Sequence, residues 1–192
     1  LDEDKQKILK DLKEIRRASP YHWVDYFIGL WYAKGWGGEE KINQAVVWFE
    51  KAIHKGNTHA MSHLSMYYHT GRLGLTQSDT KSNELLALAA DKGHAQARYQ
   101  LGHSYRLGRG DLVIDFNRCV GFWEQSAKQG YVDALTSLVT MYRLGSRDGP
   151  PMTIPEDLQL CFRWCLAAAK QGDVIAMLII GCGYENGDVV EP

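Results

Sequence analysis

Apolar positions recur along this chain at spacings of four, four and three. Ala60, Leu64, Tyr68 and Gly71 form one such set, followed by Ala97, Leu101, Tyr105 and Gly108, by Ala134, Leu138, Tyr142 and Gly145, and by Ala176, Ile180, Tyr184 and Gly187. An earlier copy contains Ile28, Gly29, Tyr32 and Gly35. The spacing puts the alanine, the aliphatic residue and the tyrosine on one helical face, and the glycine just past the last turn, where a left-handed cap is needed. We term each of these segments helix A. After a polar, glycine-containing break comes a second helical pattern, helix B, in which a bulky pair precedes small residues. These are Trp48 and Phe49 before Ala52, Leu85 and Leu86 before Ala89 and Ala90, Phe122 and Trp123 before Ser126 and Ala127, and Trp164 before Ala168 and Ala169.

Helix B closes each time on a similar phrase: "AIHKGNTHAM", "AADKGHAQAR", "SAKQGYVDAL" and "AAKQGDVIAM". Its glycines, Gly56, Gly93, Gly130 and Gly172, are 37, 37 and 42 residues apart, the self-similarity of stacked repeats. Lys55, Lys92, Lys128 and Lys170 suit the negative pole of a helix end, and Asp79, Asp115 and Asp157 stand where helix B should begin. The five extra residues of the last interval belong in "GSRDGPPMTIPED", whose three prolines exclude helix interior. Before the first repeat, Ile8, Leu12 and Ile15 form one stripe of an N-terminal helix that stops near Ser19-Pro20. After the last, helix A runs out at "YENGDVVEP" with no helix B to cover it, as in an array cut within a longer one or ending on half a unit.

The pattern A-x3-L-G-x2-Y-x2-G, matched best by "AQARYQLGHSYRLGRG", with an acidic cap and a helix ending in A-A-x-x-G, resembles the Sel-1-like repeats of the tetratricopeptide superfamily. The resemblance covers about Tyr26 to Asp188. It implies an all-α fold, a right-handed α-solenoid of stacked helix-turn-helix repeats, with residues 1–20 as a capping helix and 21–192 as one repeat domain. The units would fall near 21–56, 57–93, 94–130, 131–172 and 173–192. Ser65 and Val139 depart from the glycine after the leucine, and Leu85 and Leu86 depart from the aromatic pair.

Composition narrows the function. With 22 basic against 23 acidic side chains the net charge is −1, so no global field gathers phosphates, and nucleic acid is a poor partner. The apolar run "VIAMLIIGC" is too short to span a bilayer, and no charged-then-apolar leader is present. The sequence begins at Leu1, which is compatible with a removed upstream signal, so a cytoplasmic and a processed secretory location are equally open. Cys119, Cys161, Cys165 and Cys182 contain no C-x-x-C pair and read as buried thiols.

A solenoid buries its skeleton and offers a curved face lined mainly by helix A. On that face the sequence puts His69, His103, Arg106 and Arg143, with Trp23, Tyr26 and Tyr99 further out. Such a ladder suits a peptide or protein partner with acidic groups, held by charge-assisted contacts. Tyr68, Tyr105 and Tyr142 read as core, whereas Trp23, Trp31 and Trp36 do not all repeat and offer a candidate exposed aromatic patch. His59 and His63, four apart, could share a metal ion, but no third ligand is fixed and "HAMSH" lacks the glutamate of H-E-x-x-H. No G-x-S-x-G, Walker loop or dinucleotide fingerprint is present. Secreted members of the family proposed to act on β-lactams carry paired cysteines within each repeat that this chain lacks.

The family resemblance thus implies a non-catalytic scaffold or adaptor that binds a protein or peptide in its groove, without cofactor or metal. An inhibitor or immunity-type protein neutralising one partner is the second reading. A small-molecule binder or hydrolase using the groove histidines and Glu185 is a third, disfavoured because residues one repeat apart lie about 10 Å from each other and do not converge on one reacting atom.

Overall fold

Every helix B ends in the same turn, and that turn sets the architecture. In the computed structural model, which describes residues 2–18, 21–36, 43–144 and 158–186, Gly56, Gly93, Gly130 and Gly172 all have φ between 81° and 87°, a left-handed conformation that only glycine adopts without strain. The N–H of the following residue reaches back over the turn: Asn57 to the Ala52 carbonyl (3.0 Å), His94 to Ala89 (3.0 Å), Tyr131 to Ser126 (3.3 Å) and Asp173 to Ala168 (3.2 Å). This six-to-one bond satisfies a carbonyl the helix end leaves open. The repeated phrase is therefore a repeated C-cap.

Ten helices result among the described residues, with no strand: α1 (Asp2–Ala18), α2 (His22–Ala33), α3 (Asn43–His54), α4 (Thr58–Thr70), α5 (Asp79–Asp91), α6 (Ala95–Leu107), α7 (Phe116–Ala127), α8 (Val132–Leu144), α9 (Leu158–Ala169) and α10 (Val174–Asn186). The hairpins α2–α3, α4–α5, α6–α7 and α8–α9 are the A–B pairs of the sequence, an all-α helical-repeat fold. Ser78 and Asp115 cap α5 and α7, their side chains accepting from the Lys81 and Arg118 N–H groups (3.3 and 2.9 Å), so Asp79 is the first helical residue and not the cap. Asp157 and the proline-bearing segment 145–157 lie outside the described residues.

The chain divides into two compact units, Leu1–His94 and Ala95–Pro192. The first has a core of Ile28, Trp31, Tyr32, Phe49, Leu64 and Tyr67, with Leu9 of α1 packed against it. The second is built on Cys119, Trp123, Leu135, Leu138, Tyr142, Cys161 and Cys165. All three of these cysteines are buried, and burial pushes the Cys119 thiol up to about 12, which keeps it protonated and inert.

Within the hairpins one pair of positions controls how closely the helices approach. A Cβ at Gly29 would lie 2.8 Å from the Phe49 ring, and one at Gly102 would lie 2.5 Å from Trp123. In the same register α4 has Ser65 and α5 has Leu86, and α8 has Val139 and α9 has Cys165, all buried. The partner shrinks as the helix A residue grows: glycine with phenylalanine or tryptophan, serine with leucine, valine with cysteine. The departures from the repeat pattern are paired and conserve volume, which close-packed interiors require.

The tyrosine position is less uniform than its period predicts. Tyr142 is buried, its hydroxyl donating to Glu124 Oε1 (3.0 Å). Tyr68 and Tyr105 are only half-buried at the mouths of their hairpins, under Lys81 and Arg118 respectively. Tyr105 stacks on Phe122 at 5.7 Å, and in α4 it is Tyr67 that enters the core. The tyrosine lies in the last turn of helix A, where the chain turns back, so the cover over its ring differs between hairpins: Tyr32 and Tyr142 are buried, Tyr68 and Tyr105 open on one edge.

Asp25 of α2, fully buried, accepts from Arg16 Nε of α1 and from Lys55 Nζ just past the end of α3, both at 2.6 Å. Burial alone would raise its pKa, but the two cations together outweigh that and hold it below the ordinary carboxylate value. Lys55, expected at a helix pole, thus neutralises a buried anion, and Arg16 ties the N-terminal helix to the first hairpin.

Two outcomes are expected. Asp25→Ala leaves Arg16 and Lys55 without their buried partner and should destabilise the first unit by about 3 kcal/mol, with α1 amides losing protection first in hydrogen exchange. Gly102→Ser should cost about 1–3 kcal/mol by overpacking, and Trp123→Leu should cost a similar amount or more through the space it leaves. The two together, reproducing the Ser65–Leu86 pair, should cost markedly less than their sum in a denaturation double-mutant cycle.

Candidate partner-binding faces

In the second unit, α6 brings Tyr99, His103 and Arg106 onto one stripe, as their spacing of four and three dictates. The His103 ring stands edge-on to Tyr99 (4.8 Å between centroids) and beside Trp123 (5.0 Å). Trp123 is fixed in turn by its indole N–H, which donates to the Tyr99 carbonyl at 3.1 Å. Tyr99 also faces Tyr131 (5.3 Å), and its hydroxyl is 3.3 Å from Ser137 Oγ of α8. Burial, then the charges of Arg106 and Arg109, opposed by Asp133, bring His103 down to about 4, so it is neutral at physiological pH. Arg106 is half-buried, and its Nε has no hydrogen-bond partner among the described residues. A half-exposed guanidinium whose Nε is buried and unsatisfied, beside a neutral imidazole and an aromatic wall, still offers its outer N–H groups to an acceptor.

In the first unit Trp23 (42% exposed) and Phe27 (48%) lie one turn apart on α2 with their rings 6.4 Å from each other, and the His59 ring is 5.0 Å from Trp23. His59 and His94 share a hydrogen bond between Nδ1 and Nε2 (3.3 Å). Burial lowers His59, His63 and His94, the last to about 4 with help from the other two. His69 does not project freely: its Nδ1 is bonded to Asp79 Oδ1, across the turn joining α4 to α5.

The sequence-derived residues therefore separate. Tyr99, His103 and Arg106 come together. The Arg143 side chain lies outside the described residues, as do those of Glu185 and Cys182. Trp23 is exposed as expected, but Tyr26 is 7% exposed and packs in the core on Phe49 of α3 and His63 of α4, which cover its side of α2. Of the aromatic candidates, Trp31 is core (2% exposed) while Trp23 and Trp36 are exposed. His59 and His63 share a face as their spacing requires, yet no group of three or more His, Cys, Asp or Glu side chains is set to hold a metal among the described residues.

Sequence reasoning missed His94 and Tyr131. Both directly follow a phrase glycine, where Asn57 and Asp173 cap α4 and α10 by accepting from the Ala60 and Ala176 N–H groups (2.8 and 3.0 Å). Imidazole and phenol at this position instead lay a ring against the preceding helix A in the case of His94 and against Tyr99 of the preceding helix A in the case of Tyr131. A non-capping residue at a capping position was the available signal.

These features define a helical-hairpin repeat protein. The Sel1 repeat family model matches residues 25–57, 58–94, 95–131 and 139–173, and the chain belongs to that family. Among solved structures it is similar to a Sel1 repeat protein from Oxalobacter formigenes (27% identity, TM-score 0.78, covering 95% of this chain and 71% of that one). It is also similar to a protective antigen of uropathogenic Escherichia coli (27% identity, TM-score 0.79, 93% and 36%). Relatives include chitin synthase regulators of Saccharomyces cerevisiae (30% identical, 77% of this chain and 21% of that protein) and Malassezia restricta (28%, 79% and 10%). The chain thus spans about a fifth or less of the length of these two relatives. No helix among the described residues is long and apolar enough to cross a membrane.

Because His94 and His103 bind protons less readily folded than unfolded, stability should fall as pH drops from about 6.5 towards 4, above the range where Asp25 titrates. The melting temperature of the His94→Gln, His103→Gln double variant should depend less on pH across that window; an unchanged slope would show that other groups dominate.

Proposed function

We propose that the chain is a non-catalytic interaction scaffold that holds a protein or peptide partner on its A-helix faces, with an acidic group of the partner received by Arg106. The observation that carries this reading is the stripe Tyr99–His103–Arg106, with its buried, unpartnered Nε. An aromatic wall beside a partly desolvated arginine is the composition of an interface hot spot. The family supports a binding role, and the relatives named as chitin synthase regulators support one in which the bound client is regulated. Neutralising a client, as an inhibitor does, is one form of that regulation.

The histidines fit this reading better than acid–base chemistry. His103 is neutral and walled by aromatic rings, and His59 and His94 engage each other. None of the three is arranged with a nucleophile and an orienting carboxylate around a shared point.

Affinity capture with the intact chain, beside Arg106→Glu alone and with Arg143→Glu, tests the assignment. The client identified with the intact chain should bind the single variant at least about thirtyfold more weakly, corresponding to about 2 kcal/mol, with helical circular dichroism and melting unchanged. A client held equally by all three would remove Arg106 from the interface.

A further inference from the structure

In the second unit the charges of the A-helix face are sorted by sign. Arg106 stands in the last turn of α6 and Arg109 just past its end, whereas Asp133 stands exposed in the first turn of α8. Each placement suits the helix pole beside it, and together they put opposite charges at opposite edges of one face. Between those edges stand uncharged rings. Tyr131 faces Tyr99 at 5.3 Å, and His103, edge-on to Tyr99, is held neutral chiefly by burial. Both edges are felt at His103: Arg106 and Arg109 disfavour its proton, and Asp133 favours it. The Asp133 carboxylate is oriented by the Tyr131 hydroxyl, which donates to it; burial and that bond push the phenol up to about 12.

The separation of the two charges follows from the repeat register. Short turns join α6 and α8 to α7, against which both pack, so each is antiparallel to it and the two run the same way. The Tyr99 hydroxyl, 3.3 Å from Ser137 Oγ, keeps them within one position of the alignment of Ala97 with Ala134. In that alignment Asp133 is level with Gln96, ten positions before Arg106. A helix rises about 1.5 Å per residue, which separates the two charges by about 15 Å along the helix direction. An extended chain advances about 3.3 Å per residue and covers that distance in about four to five residues.

We propose that this face receives an extended segment of the partner that carries both signs of charge, an acidic side chain against Arg106 and, about four to five residues away, a lysine or arginine against Asp133. The uncharged stretch between them lies across Tyr99 and His103. This rests on the reading of Arg106 as the receiver of an acidic group, and adds a second anchor of opposite sign. An all-acidic segment is the wrong occupant because it brings a like charge up to Asp133, and an all-basic one meets Arg106 in the same way. The first unit lacks the pattern: the first-turn Asp25 of α2 is buried between its two cations, and α4 has no acidic residue in its first turn.

A displayed library of random dodecapeptides, selected on the intact chain, supplies the probe. Retained sequences should pair one acidic with one basic residue at the stated spacing. Replacing the basic residue of a retained peptide by Gln should weaken its binding to the intact chain at least about tenfold, and should make no difference to its binding to Asp133→Asn. Replacing the acidic residue should act in the same way towards Arg106→Gln. Selection on Asp133→Arg should return peptides with acidic residues at both places. Circular dichroism and melting of each variant, measured beside binding, should match the intact chain. Peptides that depend on Arg106 but carry no basic residue coupled to Asp133 would overturn this inference and leave the acidic-group reading standing. Peptides indifferent to Arg106, or none retained at all, would overturn both.

Discussion

The fit of one side chain from helix B into one small position on helix A is the contact on which each hairpin depends. Where that position is glycine, an aromatic ring lies against the backbone of the neighbouring helix, closer than any Cβ would allow. Where it is serine or valine, the ring gives way to leucine or to a buried cysteine. Interhelical distance follows from the side chains at the contact, so holding their combined size roughly constant lets hairpins of different sequence keep similar spacing. A substitution on one helix alone would alter that spacing and, through the fixed C-cap turn, the entry angle of the next helix.

With spacing and turns set by so few residues, other positions are free to diverge. The residue after each phrase glycine illustrates this. Asn57 and Asp173 use it to close a helix N-terminus, whereas His94 and Tyr131 use it to place rings on His59 and Tyr99. The backbone bond at this position, to the carbonyl five residues back, is present in all four cases. The main chain supplies the architecture, and the side chain contributes either a local cap, worth about 1 kcal/mol, or one wall of an interaction face.

What could be read in the sequence follows the same division. The helices and their ends were legible because a left-handed C-cap is a residue-specific demand, and Gly56, Gly93, Gly130 and Gly172 meet it at a fixed period. Positions governed by tertiary register were not. Tyr26 and Trp23 are three residues apart on one helix and read alike, but α3 and α4 cover the first and leave the second exposed. Asp25 gave no sign of burial, since its partners are 9 and 30 residues away and the repeated position of Lys55 read only as a helix pole. Paired departures such as Ser65 with Leu86 looked like two defects in the pattern until the hairpin showed that they occupy the same register.

The electrostatics of the A-helix faces follow from packing them with aromatic rings. Burial beside Tyr99 and Trp123 strips His103 of water, and the neighbouring arginines add repulsion, so it is already neutral at a pH where an exposed imidazole would still hold its charge. A ladder that reads in the sequence as two histidines and two arginines is therefore a weaker cation than it looks: His69 is engaged with Asp79, His103 is neutral, and guanidinium carries the charge. Arginine tolerates that role because it cannot lose its proton in such a setting and its planar fork needs few waters. The aromatic packing of the face thereby leaves guanidinium as its cationic group and confines histidine to shaping the wall beside it.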